Sequence, residues 1–283
     1  VAPTGWRAPW FPGTPAQVAP FVGGMTLDHD IHDTQLRPPP DSEDFYADCL
    51  RLLAESGHPF LVSGTFALSC YTGIIRPTKD VDVFAKPSDA LKILSFFQES
   101  DYKVEMVDER WLARIIKGKL FLDVIFNMPT SGTTVSDDWF TAAPRARIYD
   151  TIVQLVPPTE FIWSKIFVQD RYRYDGADVA HVILKKHDEI DWRRLLAHLE
   201  LYWEVLLVAL LNFRFIYPSE RDLVPRWLMD ELLERLAAQQ AMPPPSVKVC
   251  RGRIFSPRDY LPDVKEWGFS EAFGNLEERY EQH

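Results

Sequence analysis

The run Lys79–Asp80–Val81–Asp82–Val83–Phe84 constrains the fold more than any other part of the chain. Side chains along a strand alternate faces, so Asp80 and Asp82 share one face while Val81 and Val83 share the core face. Two like charges side by side repel, and a strand carries such a pair only for a reason. A hard divalent cation is one reason, because Mg²⁺ takes oxygen ligands and often combines one or two carboxylates with substrate phosphates. The plainer alternative is an edge-strand tip bearing two solvated acids. A third acid, Asp123, sits between Leu122 and Val124 in the apolar run 120–126, where a carboxylate is costly unless paired or metal-bound. If the two strands are neighbours, Asp80, Asp82 and Asp123 converge and can hold two ions, an arrangement suited to in-line phosphoryl transfer.

Upstream, Val62–Ser63–Gly64–Thr65 ends a strand on a glycine that opens a helix. Glycine permits close backbone approach, and a helix start offers free N–H groups and a positive dipole end to phosphate. The Thr65 hydroxyl adds to that seat. Many αβ chains have such a turn; its placing, one helix and one loop before the acidic pair, is the informative part. Arg76 and Lys79 lie just ahead of the acids, where they can neutralise phosphate charge or stand as solvated loop charges.

Around these motifs the periodicity predicts an α+β chain: a small mixed sheet flanked by helices, followed by a helical half. Residues 1–40 read as a proline-rich extension closed by Pro38–Pro39–Pro40, a stiff spacer, with residues 1–24 set apart as extension, linker or remnant. Residues 41–150 read as the catalytic α/β half. Asp41 or Ser42 caps a helix to about Ser56, and strands follow near 60–63, 80–85, 103–107, 111–116 and 120–126. Residues 151–283 read as a helical, acceptor-binding half with a tail. Its helices open at Thr159 and recur near 177–187, 191–216 and 222–239, before Pro243–Pro244–Pro245 breaks the pattern. The apolar stretch 202–216 contains Glu204, Asn212 and Arg214, so it reads as a buried helix and not a membrane span.

The combination of Gly64–Thr65, Asp80/Asp82 and Asp123 resembles the polymerase-β-like nucleotidyltransferase superfamily over residues 45–130. Thr65 stands where that family usually has Ser or Gly, and the gap to Asp80 is at the long end. Within the superfamily, Arg76–Pro77–Thr78–Lys79–Asp80–Val81–Asp82 looks like the AbiEii-type toxin and minimal nucleotidyltransferases. Their downstream Lys is matched by Lys165, and their Arg-x-Asp-x-x-Asp segment by the spacing of Arg173, Asp175 and Asp178. Tyr174 replaces a basic residue there. The resemblance implies a metal-dependent transfer of a nucleotidyl group from an NTP to an acceptor hydroxyl, with Mg²⁺ or Mn²⁺ as cofactor. Asp80 and Asp82 would ligate both metals and Asp123 the one that activates the acceptor. Ser63, Gly64 and Thr65 would hold the terminal phosphates, and Arg76 and Lys79 would steady the charge. Lys165 would touch the triphosphate, with Asp175 or Asp178 at the cleft. A toxin–antitoxin role is part of what this likeness implies.

A net charge of −10 argues against a sequence-blind nucleic-acid binder, so no DNA partner is expected. The acceptor stays open between a small molecule, an RNA end and a protein. Cys49, Cys70 and Cys250 are odd in number and widely spaced, with no CxxC, so neither disulfides nor zinc are expected and a reducing cytoplasm is the simplest home. Read without the family, Lys165 either snorkels to water or faces phosphate. The basic stretch 165–194 reads as surface charge balanced by nearby acids more readily than as a nucleic-acid grip. His181, His187 and His198 read as structural. The rival to catalysis is a module of the same fold that binds a nucleotide or a partner without turnover.

Overall fold

Alternating apolar positions build the sheet. The computed structural model describes residues 42–128 and 133–272. The predicted extension with its proline spacer, the Asp41 cap and the last residues of the tail lie outside the described residues.

Helix α1 (Glu43–Glu55) buries Phe45, Tyr46, Cys49, Leu50 and Leu53 at helical spacing. Ser42 holds its N-cap position but makes no side-chain cap hydrogen bond, so that predicted cap is positional alone. Then come β1 (Leu61–Val62), α2 (Gly64–Thr72), β2 (Val81–Phe84) and α3 (Pro87–Glu99). The strands β3 (Lys103–Asp108), β4 (Leu112–Lys117) and β5 (Leu120–Ile125) complete a five-stranded sheet in the order β1-β2-β5-β4-β3. It is mixed: β2 and β5 run parallel, and the other neighbours are antiparallel. Val81, Val83, Leu122, Val124, Ala113 and Ile115 are wholly buried, so every second residue of the three central strands feeds the core. The chain is therefore α+β, with the sheet in its first half.

Two small hairpins escape the sequence reading: β6 (Asn127–Met128) with β7 (Thr133–Thr134), and β8 (Arg145–Ile148) with β9 (Thr151–Gln154). After β9 the chain is helical: α4 (Asp137–Thr141) precedes it, and α5 (Pro158–Lys165), α6 (Gly176–Lys186), α7 (Trp192–His198), α8 (Trp203–Ile216) and α9 (Arg226–Ala241) follow. The predicted run 191–216 is not one helix. It breaks near Leu199, and its two parts are bent by 76°. Nor is α8 buried all round. Leu206, Leu207, Leu210 and Phe213 face inward, while Val208, Leu211, Phe215 and Ile216 are exposed. No single helix among the described residues is long and apolar enough to cross a membrane.

The last described part forms the short parallel pair β10 (Val249–Cys250) and β11 (Ser270–Glu271), with α10 (Leu261–Lys265) between them. Helix α2 packs on both β2 and α6, so it joins the sheet to the helical half.

Candidate functional site

Strand pairing brings the three predicted aspartates together. In the parallel ladder Asp82 lies opposite Asp123, and Asp80 directly precedes β2. Carboxylate oxygens of Asp80, Asp82 and Asp123 all lie within 4.8 Å of one another, and no other such group is found among the described residues. The Asp80 and Asp82 side chains accept no hydrogen bond from the described residues, so their lone pairs face the cleft unspent. Burial, with the neighbouring Asp80 charge second, pushes Asp82 up to about 6. Burial and then Asp123 push Asp80 upward as well. Three convergent oxygen donors that repel one another in the absence of a cation suit a hard divalent ion.

Gly64 is the residue that lets this cluster meet the start of α2. Its φ is +60°, and a Cβ placed on it would stand 2.1 Å from Oδ2 of Asp82. Both the left-handed backbone and the close approach require glycine. The Ser63 amide donates to the Asp82 carbonyl at 2.8 Å, which fixes this turn beside the acids. Ser63, Gly64 and Thr65 all line one cleft of about 680 Å³ together with Arg76, Lys79, the three aspartates, Lys165 and Asp175.

The cations of the cleft arrive with partners. Arg76 reaches across to α6 and pairs with both oxygens of Asp178, at 2.7 and 2.8 Å. Lys165 is buried, and its Nζ lies 2.8 Å from Asp175 and 3.5 Å from Asp178. It therefore does not snorkel to water. Arg173 also binds Asp175, at 3.0 Å. Burial would raise Asp175, but Lys165 and Arg173 outweigh it and hold the carboxyl below its usual range. Asp175 thus lines the cleft, whereas Asp178 sits behind it as the shared counter-ion of Arg76 and Lys165. Lys79 is exposed, and no ion pair is found for it among the described residues.

One residue at the site was not anticipated. Arg114 on β4 lies directly opposite Asp123 and grips it through Nε at 2.7 Å and Nη2 at 3.2 Å. Its guanidinium stacks 4.1 Å from the centre of the Phe121 ring. The signal was present in the sequence. A two-residue turn at Gly118–Lys119 makes β4 and β5 a hairpin, and counting outward from it places 114 against 123. An apolar wall also went unread: Trp111, Leu112, Ile125 and Met128 from the sheet side, and Ile254, Phe255 and Pro257 from the C-terminal segment.

The remaining basic residues of 165–194 are largely neutralised: Arg171 by Asp259, Lys186 by Glu189 and Arg194 by Glu160. His198 stacks on Trp163 at 4.3 Å and lies beside Glu160, a packing role. In the basic segment of the tail, Arg251 pairs with Glu204 and Arg253 with Glu271, so these two arginines are engaged outside the cleft.

No family model matches the chain, and no curated protein matches it. Among solved structures, the lincosamide antibiotic adenylyltransferase LnuA with lincomycin bound is similar at 15% identity, over 50% of this chain and 95% of its own, with a TM-score of 0.37. The antibiotic-resistance factor ANT(2'')-Ia is 16% identical over 70% of this chain and 95% of its own, with a TM-score of 0.38. An antigenic nucleotidyltransferase-like protein from Paracoccidioides brasiliensis is 14% identical over 66% of this chain and 93% of its own, with a TM-score of 0.42. With each of these TM-scores below 0.5, what this chain does has to be read from its own cleft.

Proposed function

We propose that the chain is a nucleotidyltransferase that moves a nucleotidyl group from an NTP to an acceptor hydroxyl, with release of pyrophosphate. The observation that carries this is the convergence of Asp80, Asp82 and Asp123 within 4.8 Å, against a glycine turn that has no room for a side chain. Asp80 and Asp82 would hold both divalent ions, Mg²⁺ or Mn²⁺, and Asp123 the one nearer the acceptor. When bound, these ions supply Lewis-acid stabilisation of the charge that shifts during in-line displacement. Gly64 and Thr65 seat the terminal phosphates with backbone donors at the start of α2 and Ser63 with its hydroxyl, since the Ser63 amide is held by the Asp82 carbonyl. Lys79 is free to meet those phosphates, and Arg76 and Lys165 flank them from positions already fixed by Asp178 and Asp175. Pre-positioned cations need no reorganisation when the pyrophosphate leaves. Residues 41–150 then form the catalytic half, and 151–283 share in selecting the acceptor through the wall of Ile254, Phe255 and Pro257. Three free cysteines fit a reducing compartment.

The non-catalytic alternative has one observation in its favour: Asp123 is already engaged by Arg114 on both oxygens. Pyrophosphate release from a γ-labelled NTP separates the two. The wild type is expected to turn over with Mg²⁺, and Asp80→Asn and Asp82→Asn to lose about a hundredfold or more. Equal release by all three proteins would refute catalysis at this site.

A further inference from the structure

In-line displacement fixes where an acceptor must enter. The attacking oxygen, the phosphorus and the leaving oxygen lie on one line, so the acceptor approaches from the end opposite the pyrophosphate. If the pyrophosphate rests on the Gly64 turn, which abuts Asp82 at the β1 side of the sheet, the acceptor enters over Asp123 and the β5 and β4 residues beside it. The ladder shows what lies there. Phe84 pairs with Ile125, and Ile125 with Leu112, one step along the same face from Asp82, Asp123 and Arg114. A row of two acids and a cation thus gives way at once to a row of three apolar side chains. Trp111 and Met128 extend that row at the sheet side of the cleft, and Phe255 of the C-terminal segment lines the same cleft. The cation nearest this floor, Arg114, is spent on Asp123. The other cations of the cleft, Arg76, Lys79, Lys165 and Arg173, come from the loop before β2 or from α5 and the loop after it.

Resting on the proposed nucleotidyl transfer, we infer that the acceptor is a small uncharged molecule that carries its hydroxyl on an apolar, ring-sized body. An RNA end would bring phosphates to a floor with no free cation, and a polycationic aminosugar would need acids that this floor lacks, the further carboxylate of the cleft, Asp170, being engaged by the amides of Tyr172 and Arg173. Both would leave charge desolvated against hydrocarbon. An apolar body instead buries against Leu112, Ile125 and Trp111. In the reaction the acceptor oxygen bonds to the α-phosphorus as the bond to the β-phosphate oxygen breaks. Pyrophosphate leaves, and the hydroxyl proton passes to water.

The test uses the full chain with Mg²⁺ and 2-naphthol as probe, beside kanamycin and a short RNA with a free 3′ hydroxyl. Binding of Mg²⁺ and a non-hydrolysable ATP analogue is followed by calorimetry, and pyrophosphate release from ATP by a coupled assay. Naphthol is expected to raise release about tenfold over water alone. Trp111→Ala and Ile125→Gln are expected to raise the naphthol concentration for half-maximal release about tenfold, with the analogue still bound as proof of folding. Naphthol without effect overturns the inference, whatever the other two probes do, and so does equal stimulation in both variants. Failure of the wild type to bind the analogue overturns instead the nucleotidyl-transfer reading itself.

Discussion

Removing the charge of Asp82 is expected to stabilise the metal-free protein at neutral pH, although it destroys the site. The Asp82 carboxyl is lifted from 3.8 to about 6, by burial and by Asp80. At ~1.36 kcal/mol per tenfold in acidity, the ionised form in the fold costs about 3 kcal/mol at neutral pH. Water still reaches part of the cleft and the shift is shared with Asp80, so about 1–3 kcal/mol is the working figure. The sign follows from proton counting. The folded state holds this proton to higher pH than the unfolded state, so stability is lost as pH rises from about 4 to about 6. Asp82→Asn removes that loss, and no hydrogen bond to the Asp82 carboxylate is forfeited among the described residues. Urea unfolding in EDTA should therefore show the variant more stable at about pH 7, with the gap closing near pH 4. With saturating Mg²⁺ the order should reverse, because the wild type alone gains binding energy from the ion. An Asp82→Asn protein that is less stable than wild type in EDTA at neutral pH would show that the acids do not strain one another, and the premise would fail.

Three further outcomes follow from the same geometry. Gly64→Ala forces a Cβ to 2.1 Å from the Asp82 carboxylate at φ +60°; turnover should fall about a hundredfold, read as pyrophosphate release. Lys165→Met leaves Asp175 and Asp178 short of a buried partner, and should cost about 3–5 kcal/mol in urea unfolding. Arg114→Met frees both oxygens of Asp123 and removes a positive charge beside the site, so Mn²⁺ affinity followed by electron paramagnetic resonance should rise about tenfold; unchanged affinity would mean that Arg114 serves the fold alone.

The acidic strand was legible because an alternating pattern with charges on one face has few other solutions. Asp123 was legible for the same reason, being a carboxylate among Leu122, Val124 and Phe121. What stayed hidden was pairing. Arg76 and Asp178 are 102 residues apart, and nothing local marks them as partners. Arg114 was within reach of hairpin arithmetic but has no meaning until β4 and β5 are known to pair. The β8–β9 hairpin turns at Tyr149, with φ of 49°, where no glycine or asparagine announces the turn. Helix α8 looked buried because its mean composition is apolar. Composition averages over faces, and Val208, Leu211 and Phe215 fall on the exposed one. The wall formed by Ile254, Phe255 and Pro257 depends on how the last segment returns to the cleft, which no spacing rule encodes.

Asp80, Asp82 and Asp123 are together expected to bind divalent cations against a nucleoside triphosphate. Diffraction from a crystal soaked with Mn²⁺ and a non-hydrolysable ATP, recorded at the manganese absorption edge, tests it directly. Anomalous density among the three carboxylates, with the terminal phosphates at the Gly64 turn, is the expected result. Density elsewhere, or none with nucleotide bound, would contradict the account.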